Sequence, residues 1–164
     1  MDAQPHAAWS EGTDAGLLGA TVVALWYLLL DLLAGRPLRS PSVLGQLFLT
    51  DMPHPDPRHL DFAAIIGYTV VHYAAFMLAG VLTALLVRLA VRSAIARFGL
   101  VMLAVTFEVL FYVVVQSVST EVGSLFPLWT VLGANLLATG VVGAYFWRRY
   151  PELAGILREE PLGA

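Results

Sequence analysis

Four strongly polar residues stand singly inside long apolar stretches of this sequence: Asp31, His72, Glu108 and Asn135. Glu108 is the most unusual, because the other residues of 98–118 are apolar or uncharged. A charged side chain at the centre of a bilayer costs on the order of 3 kcal/mol, so an ionisable residue there is a functional hypothesis by default. Such a side chain is expected to face the protein interior, where it is paired or protonated.

Glu108 and His72 together point to proton or cation chemistry. Histidine changes charge near neutral pH, and an adjacent carboxylate stabilises the charged form. At about 1.5 Å of rise per residue, the two residues fall at similar depth in their helices, as does Asn135. We therefore predict a polar pocket whose floor is formed by Glu108, His72 and Asn135.

The remaining polar residues of the apolar stretches lie toward one side of this layer. Several recur at helical i, i+4 spacing, which places them on common faces. The predicted pocket mouth consists of Asp31, Tyr68, Tyr112 and Gln116. The opposite half offers mainly scattered threonines, and a pore would need a polar lining on both halves. The sequence therefore favours a pocket that opens outward over a channel.

Metal binding is the alternative chemistry. Asp31, His72 and Glu108 are residue types that zinc, manganese and iron bind. However, the sequence contains no Glu-x-x-His pair and no His-Glu-x-x-His motif. The first long loop holds a weaker set of candidate ligands, namely His54, Asp56, His59 and Asp61. Histidines and aspartates between prolines more often only solvate a loop.

The elements that position these residues are apolar stretches long enough to cross a bilayer. A spanning helix needs about 20 apolar residues, and backbone groups in lipid must be bonded within the segment. The chain is 59% hydrophobic and 13% charged, whereas about a quarter of residues are charged in soluble domains. The stretches are 16–34, 62–87, 98–118 and 126–147. We expect an all-α, four-helix antiparallel transmembrane bundle that forms a single domain.

The first outer loop, residues 35–61, is the longest connection. The sequence Gly35-Arg36-Pro37 predicts the end of the first helix. Beyond it, Leu44, Leu47 and Phe48 recur at helical spacing, which predicts a short helix in the outer membrane interface.

Charge distribution predicts the orientation of the chain. Six of the nine arginines fall on the side shared by the two termini and the 88–97 loop. The positive-inside rule therefore places both termini, including the short tail 148–164, in the cytoplasm. The lack of lysine beside abundant arginine is typical of a GC-rich bacterial genome, so we expect a multi-pass protein of a bacterial inner membrane.

Small residues predict where the helices approach closely. They recur on three of the predicted spans, and such stripes allow the backbones of neighbouring helices to touch. The stripes comprise Gly16, Ala20 and Ala24; Gly80 and Ala84; and Gly140 and Ala144.

Composition also limits cofactors and partners. Cysteine is absent, which excludes thioether-linked haem and thiolate metal sites. The net charge of −3 and the lack of a dense basic patch argue against nucleic acid. The expected partners are the lipid bilayer and other membrane subunits or further copies of this chain.

The sequence thus predicts a small integral membrane protein whose pocket binds a proton, a cation or a small ligand. One alternative is a noncatalytic accessory subunit of a larger membrane complex. A second is a metal-dependent membrane enzyme that uses Asp31, His72 and Glu108. The sequence favours a role without catalysis over an enzyme.

Overall fold

The computed structural model describes residues 5–50, 55–91, 93–118, 125–152 and 155, without the side chains of 5–7, 107, 108, 111 and 114–118. These ranges form five helices and no strand: α1 Pro5–Leu33, α2 Arg39–Leu49, α3 Phe62–Ala90, α4 Ala94–Val118 and α5 Leu128–Arg149. The predicted all-α class is confirmed for this part of the chain.

Three of the helices are long and apolar enough to cross a membrane: Ala8–Leu33 within α1, all of α3 and all of α5. Large apolar side chains project outward from them, among them Leu33 at 77% exposure and Ile66 at 66%. A soluble monomer rarely exposes so much contiguous apolar surface. These features indicate a membrane protein.

α1 and α3 pack backbone against backbone. A Cβ atom at Gly12 would overlap the backbone of Val81, and one at Gly16 would overlap the backbone of Met77. A Cβ atom at Gly80 would overlap the carbonyl oxygen of Gly12. The predicted close approach at Gly16 and Gly80 is confirmed. Residue numbers rise along α1 while those of the contacting residues fall along α3, so the two helices are antiparallel.

α5 packs along another side of α1. Trp26 of α1 donates its indole N–H to the carbonyl oxygen of Thr130 in α5 at 2.9 Å, and a Cβ atom at Gly133 would press on the Trp26 ring. Gly140, in contrast, has nothing within 4 Å of its Cβ position. The predicted close approach at Gly140 is therefore wrong for the part of the chain that the structure describes, because Gly140 lies on the exposed face of α5.

α1 ends where the Gly35-Arg36-Pro37 sequence predicts. Gly35 has a φ of 68°, a left-handed conformation that glycine adopts without a Cβ penalty. The amide of Arg36 donates to the Asp31 carbonyl at 2.8 Å, and that of Gly35 donates to the Leu32 carbonyl at 3.0 Å. This pair of bonds is the Schellman arrangement, which terminates a helix and turns the chain toward α2.

α2 and the following loop form one hydrogen-bonded unit over the end of α3. Gln46 is 2% exposed and donates to the Ser42 hydroxyl at 3.1 Å, while its side-chain carbonyl accepts from the Asp56 amide at 3.1 Å. The Ser42 hydroxyl donates to the His59 carbonyl at 3.2 Å. α2 also packs tightly on α3, because a Cβ atom at Gly45 would overlap the backbone of Ala64. A short helix therefore lies where the sequence predicts one and packs against the bundle, while its place in the membrane interface stays a prediction.

The helices extend past several predicted bounds. α1 begins at Pro5, well before the predicted start of the first span, and α4 begins at Ala94. The extension of α1 carries Glu11 into the bundle, where it is 7% exposed. The local sequence predicted that the first helix begins after Glu11. The helix instead includes Glu11, because Arg88 and Arg149 neutralise its carboxylate.

Candidate functional site

A cavity of about 200 Å³ lies between α1, α2 and α3. We call it the α2 cavity. Most of its wall is aliphatic, and its polar groups are hydroxyls and one imidazole. The wall consists of Thr21, Val23, Ala24, Leu25, Tyr27, Leu28, Leu38, Ser40, Pro41, Leu44, Ile65, Tyr68, Thr69, His72 and Tyr73. Of the predicted pocket residues, Tyr68 and His72 therefore lie in one cavity.

His72 joins this cavity to the α1 backbone. Its Nε2 lies 3.1 Å from the carbonyl oxygen of Ala20, so this nitrogen carries the proton and donates. The ring stacks on Tyr68 at a centroid distance of 5.7 Å and contacts Phe76 at 4.8 Å. These contacts hold the ring in place, and Nε2 is engaged in the hydrogen bond to α1.

Tyrosines from three helices converge on the core beside the α2 cavity. Tyr27 belongs to the buried cluster, and Tyr68 and Tyr112 pack against it. The Tyr27 ring meets Phe126 edge to face at 5.6 Å. A further hydroxyl pair crosses the cavity wall, where Tyr73 and Thr21 lie 3.1 Å apart. The predicted residues Tyr68 and Tyr112 thus lie against one core.

Asp31 lies at the edge of this region and is bound by α2. Its carboxylate accepts from the Ser40 amide at 2.7 Å and from the Ser40 hydroxyl at 2.9 Å, and Arg39 lies 3.9 Å away. The N-cap residue of α2, Leu38, supplies no capping hydrogen bond. Asp31 therefore caps α2 from the preceding helix.

Asn135 lines a second cavity of about 290 Å³, the α4–α5 cavity, which lies nearer the opposite end of the bundle. Its wall is apolar except for Thr83, Asn135 and Thr139. Phe76 lines this cavity and contacts His72, so one aromatic ring stands between the two chambers. The structure thus assigns His72 and Asn135 to different cavities.

Two predicted residues lie in α4 but outside the described side chains. These are Glu108 and Gln116. Their contribution to a pocket stays a prediction. By helical register, residue 108 is one turn from Ala104, which lines the α4–α5 cavity, and one turn from Tyr112, which packs on the core.

The loop candidates for metal binding have other roles where they are described. Asp61 caps α3 by accepting from the Ala64 amide at 3.0 Å, and Asp56 accepts from the Arg58 amide at 2.8 Å. His54 lies outside the described residues, and His59 is exposed. Within the described ranges, no three His, Asp or Glu side chains form a group suited to a metal.

A buried ionic cluster at the opposite end of the bundle was not predicted. Glu11 accepts from Arg88 at 3.0 Å, from Arg149 at 3.0 Å and from the Tyr150 hydroxyl at 2.5 Å. Arg88 also donates to the Tyr150 hydroxyl at 2.9 Å. One feature of the sequence hinted at this cluster. Glu11 precedes the first predicted span, and arginines follow the second and the fourth predicted spans on the same side of the membrane.

No protein family, curated protein or solved structure that was compared matches this chain. The functional argument therefore depends on the cavities and the groups that line them.

Proposed function

We propose that this protein is a four-span membrane protein that binds a small, uncharged ligand in the α2 cavity. The observation that carries the proposal is the cavity itself, about 200 Å³ between three helices. Apolar walls with a few fixed polar groups are the usual composition of a small-molecule site. In the α2 cavity those groups come from Tyr68, His72 and Tyr73.

The four-span architecture has support from the length of α4. This helix has 25 residues, and at about 1.5 Å per residue it is roughly 37 Å long, which exceeds the hydrocarbon thickness of about 30 Å. With α1, α3 and α5, it completes the antiparallel bundle. In the proposed orientation α2 lies on the outer side and the Glu11 cluster on the cytoplasmic side.

The charge of the wall favours an uncharged ligand over a cation. None of the described residues that line the α2 cavity is Asp, Glu, Lys or Arg. The nearby carboxylate of Asp31 is occupied by two hydrogen bonds from Ser40. Binding of a proton or a cation, which the sequence also predicted, would therefore depend on Glu108.

The opening of the α2 cavity supports entry from the bilayer. Thr21, Ala24 and Leu25 of α1 are exposed, as is Thr69 of α3, and all four line the cavity. These residues belong to two of the three described helices that are long and apolar enough to cross a membrane. A ligand that dissolves in lipid would reach this opening from the side.

Photolabelling in lipid nanodiscs tests the proposal. A small uncharged alkyl diazirine, added before irradiation, should label peptides of residues 21–28 and 65–73 above the level of exposed α5 surface. Ala24→Phe fills the opening and should remove this excess. Ala144→Phe is the matched control, because Ala144 is also exposed and does not line the cavity.

Two results would contradict binding in the α2 cavity. One is labelling of residues 21–28 and 65–73 that equals the lipid-facing background. The other is an excess that survives in Ala24→Phe while this variant keeps the helical content and unfolding temperature of the wild type.

A further inference from the structure

The α4–α5 cavity has the shape of a long groove. On α5 its wall runs from Asn135 to Trp147, and on α3 it runs from Phe76 to Val87. At about 1.5 Å of rise per residue, these stretches are each roughly 17 Å long. One leaflet makes up half of a hydrocarbon thickness of about 30 Å, so the groove is about as long as one leaflet is deep. A slender chain suits this shape better than a compact ring does.

The wall of the groove suits hydrocarbon. None of the described residues that line it is charged, and the hydroxyl of Thr83 donates to the Ala79 carbonyl at 2.8 Å. The volume of about 290 Å³ is roughly twice that of an apolar cavity that holds one benzene molecule. Burial of apolar surface is favourable in such a space, whereas a polar chain would lose its hydrogen bonds to water.

The groove opens sideways onto the exposed surface of α5. Thr139, Gly143 and Trp147 line it, and all three are exposed. A Cβ atom at Gly143 would meet nothing within 4 Å, so open space lies directly beside the α5 backbone. An acyl chain would therefore enter the groove from the bilayer itself.

A basic residue lies at the end of the groove nearest the Glu11 cluster. Trp147 marks this end and is 49% exposed, and tryptophan is enriched where a membrane meets water. Arg149 is the last residue of α5. It follows Val142 by seven residues and Phe146 by three, and both of these line the groove. Helical register therefore places Arg149 on the groove face of α5.

Arg149 has the chemistry to bind a phosphate at this end. Its Nε donates to Glu11 at 3.0 Å, and Nε carries one of the five N–H donors of a guanidinium. The side chain is 61% exposed. Glu11 also binds Arg88 at 3.0 Å, so these three ionised groups together keep a positive charge. Arginine binds phosphate well because two parallel N–H groups meet two oxygens.

We propose that the α4–α5 cavity binds one acyl chain of a phospholipid whose phosphate contacts Arg149. The lipid belongs to the leaflet at the Glu11 end of the bundle, and its chain fills the space between α4 and α5. This site goes beyond the proposed function, since Phe76 separates it from the α2 cavity.

Photolabelling with two lipid probes in nanodiscs tests this occupant. One probe is a phosphatidylglycerol with a diazirine near the end of one acyl chain, and the other is a diacylglycerol with the same chain. The phosphatidylglycerol should label residues 135–143 in excess of Leu78 and Leu82, which are exposed on α3. The excess from the diacylglycerol should be about tenfold smaller, because it has no phosphate to accept charge-assisted hydrogen bonds.

Filling the groove should prevent chain binding. Gly143→Leu places a side chain in the open space and should remove the excess label at 135–143. Gly140→Leu is the matched control, because its Cβ position also has nothing within 4 Å and Gly140 is not among the described residues that line the groove. This control should keep the excess of the wild type.

A second pair of variants tests the phosphate contact. Arg149→Gln should lower the phosphatidylglycerol excess about tenfold and leave the diacylglycerol label unchanged. Arg148→Gln is the control, since Arg148 is exposed and helical register turns it away from the groove face. It should leave the labelling by both probes unchanged.

The outcomes distinguish the chain from the phosphate. Equal excess from the two probes in the wild type, or an unchanged phosphatidylglycerol excess in a folded Arg149→Gln, would overturn the assignment of a phospholipid. The probe comparison needs no variant, so it decides this point even if Arg149→Gln does not fold. No excess at 135–143, as when a second copy of the chain fills the groove, would overturn acyl-chain binding, as would an excess that survives in Gly143→Leu.

Discussion

Glu11 and Arg88 form an ion pair of 3.0 Å that ties the start of α1 to the end of α3. The same carboxylate binds Arg149 at 3.0 Å and Tyr150 at 2.5 Å, so α5 is joined at the same point. The Glu11 side chain is 9% exposed. Three helix ends are thus held by one buried acidic group at the end of the bundle that lacks α2.

Replacement of Glu11 should destabilise the bundle more than replacement of the exposed Arg149 or Arg148. Glu11→Ala leaves Arg88 partly buried without its carboxylate, and loss of one partner of a buried ion pair costs roughly 3 kcal/mol. Arg149 is 61% exposed, so Arg149→Ala should destabilise the protein far less. Unfolding in detergent, followed by helical circular dichroism, measures both. Exposed Arg148→Ala is the control, and an equal loss in Glu11→Ala and Arg148→Ala would refute the prediction.

Tyr150 should make the fold sensitive to alkaline pH. Burial raises the pKa of the Tyr150 phenol above its usual 10.0, and the hydrogen bond to Glu11 raises it further, while Arg88 acts in the opposite direction. A pKa that is higher in the folded state means that the folded protein retains the proton more strongly. The resulting stabilisation is present below about pH 10 and is lost as pH rises through the folded pKa.

A comparison of variants isolates this contribution from the other tyrosines. Above about pH 10, the unfolding temperature of the wild type should fall more steeply than that of Tyr150→Phe, which has no phenol proton to lose. Thermal unfolding at a series of alkaline pH values gives both slopes. Parallel slopes would show that Tyr150 does not contribute.

Two glycines with opposite surroundings test the close packing of α1 on α3. A Cβ atom at Gly16 would overlap the α3 backbone, whereas one at Gly140 would have nothing within 4 Å. Gly16→Ala should therefore destabilise the protein by about 2 kcal/mol through overpacking. Gly140→Ala should be neutral or stabilise by up to about 1 kcal/mol through helix propensity. Equal effects in the same unfolding assay would contradict the observed packing.

Helix positions follow from local sequence more closely than the helix ends do. The apolar stretches predicted α1, α3, α4 and α5, and Gly35-Arg36-Pro37 predicted the end of α1, because both signals are local. The start of α1 was missed, since Glu11 is accommodated by Arg88 and Arg149, far away in sequence. No local pattern reports that such a carboxylate has partners.

The helix face of a polar residue was predictable from its spacing, but its neighbours on other helices were not. Tyr68 and His72 share a helix face by their spacing, and both line the α2 cavity. Rise per residue gave His72 and Asn135 similar depths, yet they line different cavities. Depth leaves open the rotation of each helix, which is decided by packing such as the Gly16 contact. The cap that Asp31 gives to α2 also depends on a turn geometry that composition does not encode.

Asp31 should control the order of α2 and thereby ligand binding. Its carboxylate is 2% exposed and makes both capping bonds to Ser40, so Asp31→Ala should cost about 1–2 kcal/mol. Amides of α2 should exchange hydrogen faster in this variant, while α5 amides keep their rates. Cavity labelling by the diazirine should fall, because α2 forms part of the wall.

A milder variant at the same contact serves as the control for Asp31. Ser40→Ala removes one of the two hydrogen bonds and keeps the backbone bond to Asp31, so its effect on α2 exchange should be intermediate. If Asp31→Ala and the wild type show the same exchange in α2, Asp31 does not hold this helix.

Glu108 carries the predicted link between binding and protons. In the helical register of α4, residue 108 is one turn from Ala104 and one turn from Tyr112. If its carboxyl group changes charge as ligand binds, cavity labelling should change with pH. Glu108→Gln keeps the size of the side chain without an ionisable group, so its labelling should vary less with pH than that of the wild type. Glu152→Gln is the matched control, since Glu152 is exposed and should leave the profile unchanged. A wild-type pH profile that persists in Glu108→Gln would remove Glu108 from the binding chemistry and leave the α2 cavity as a site for neutral ligand alone.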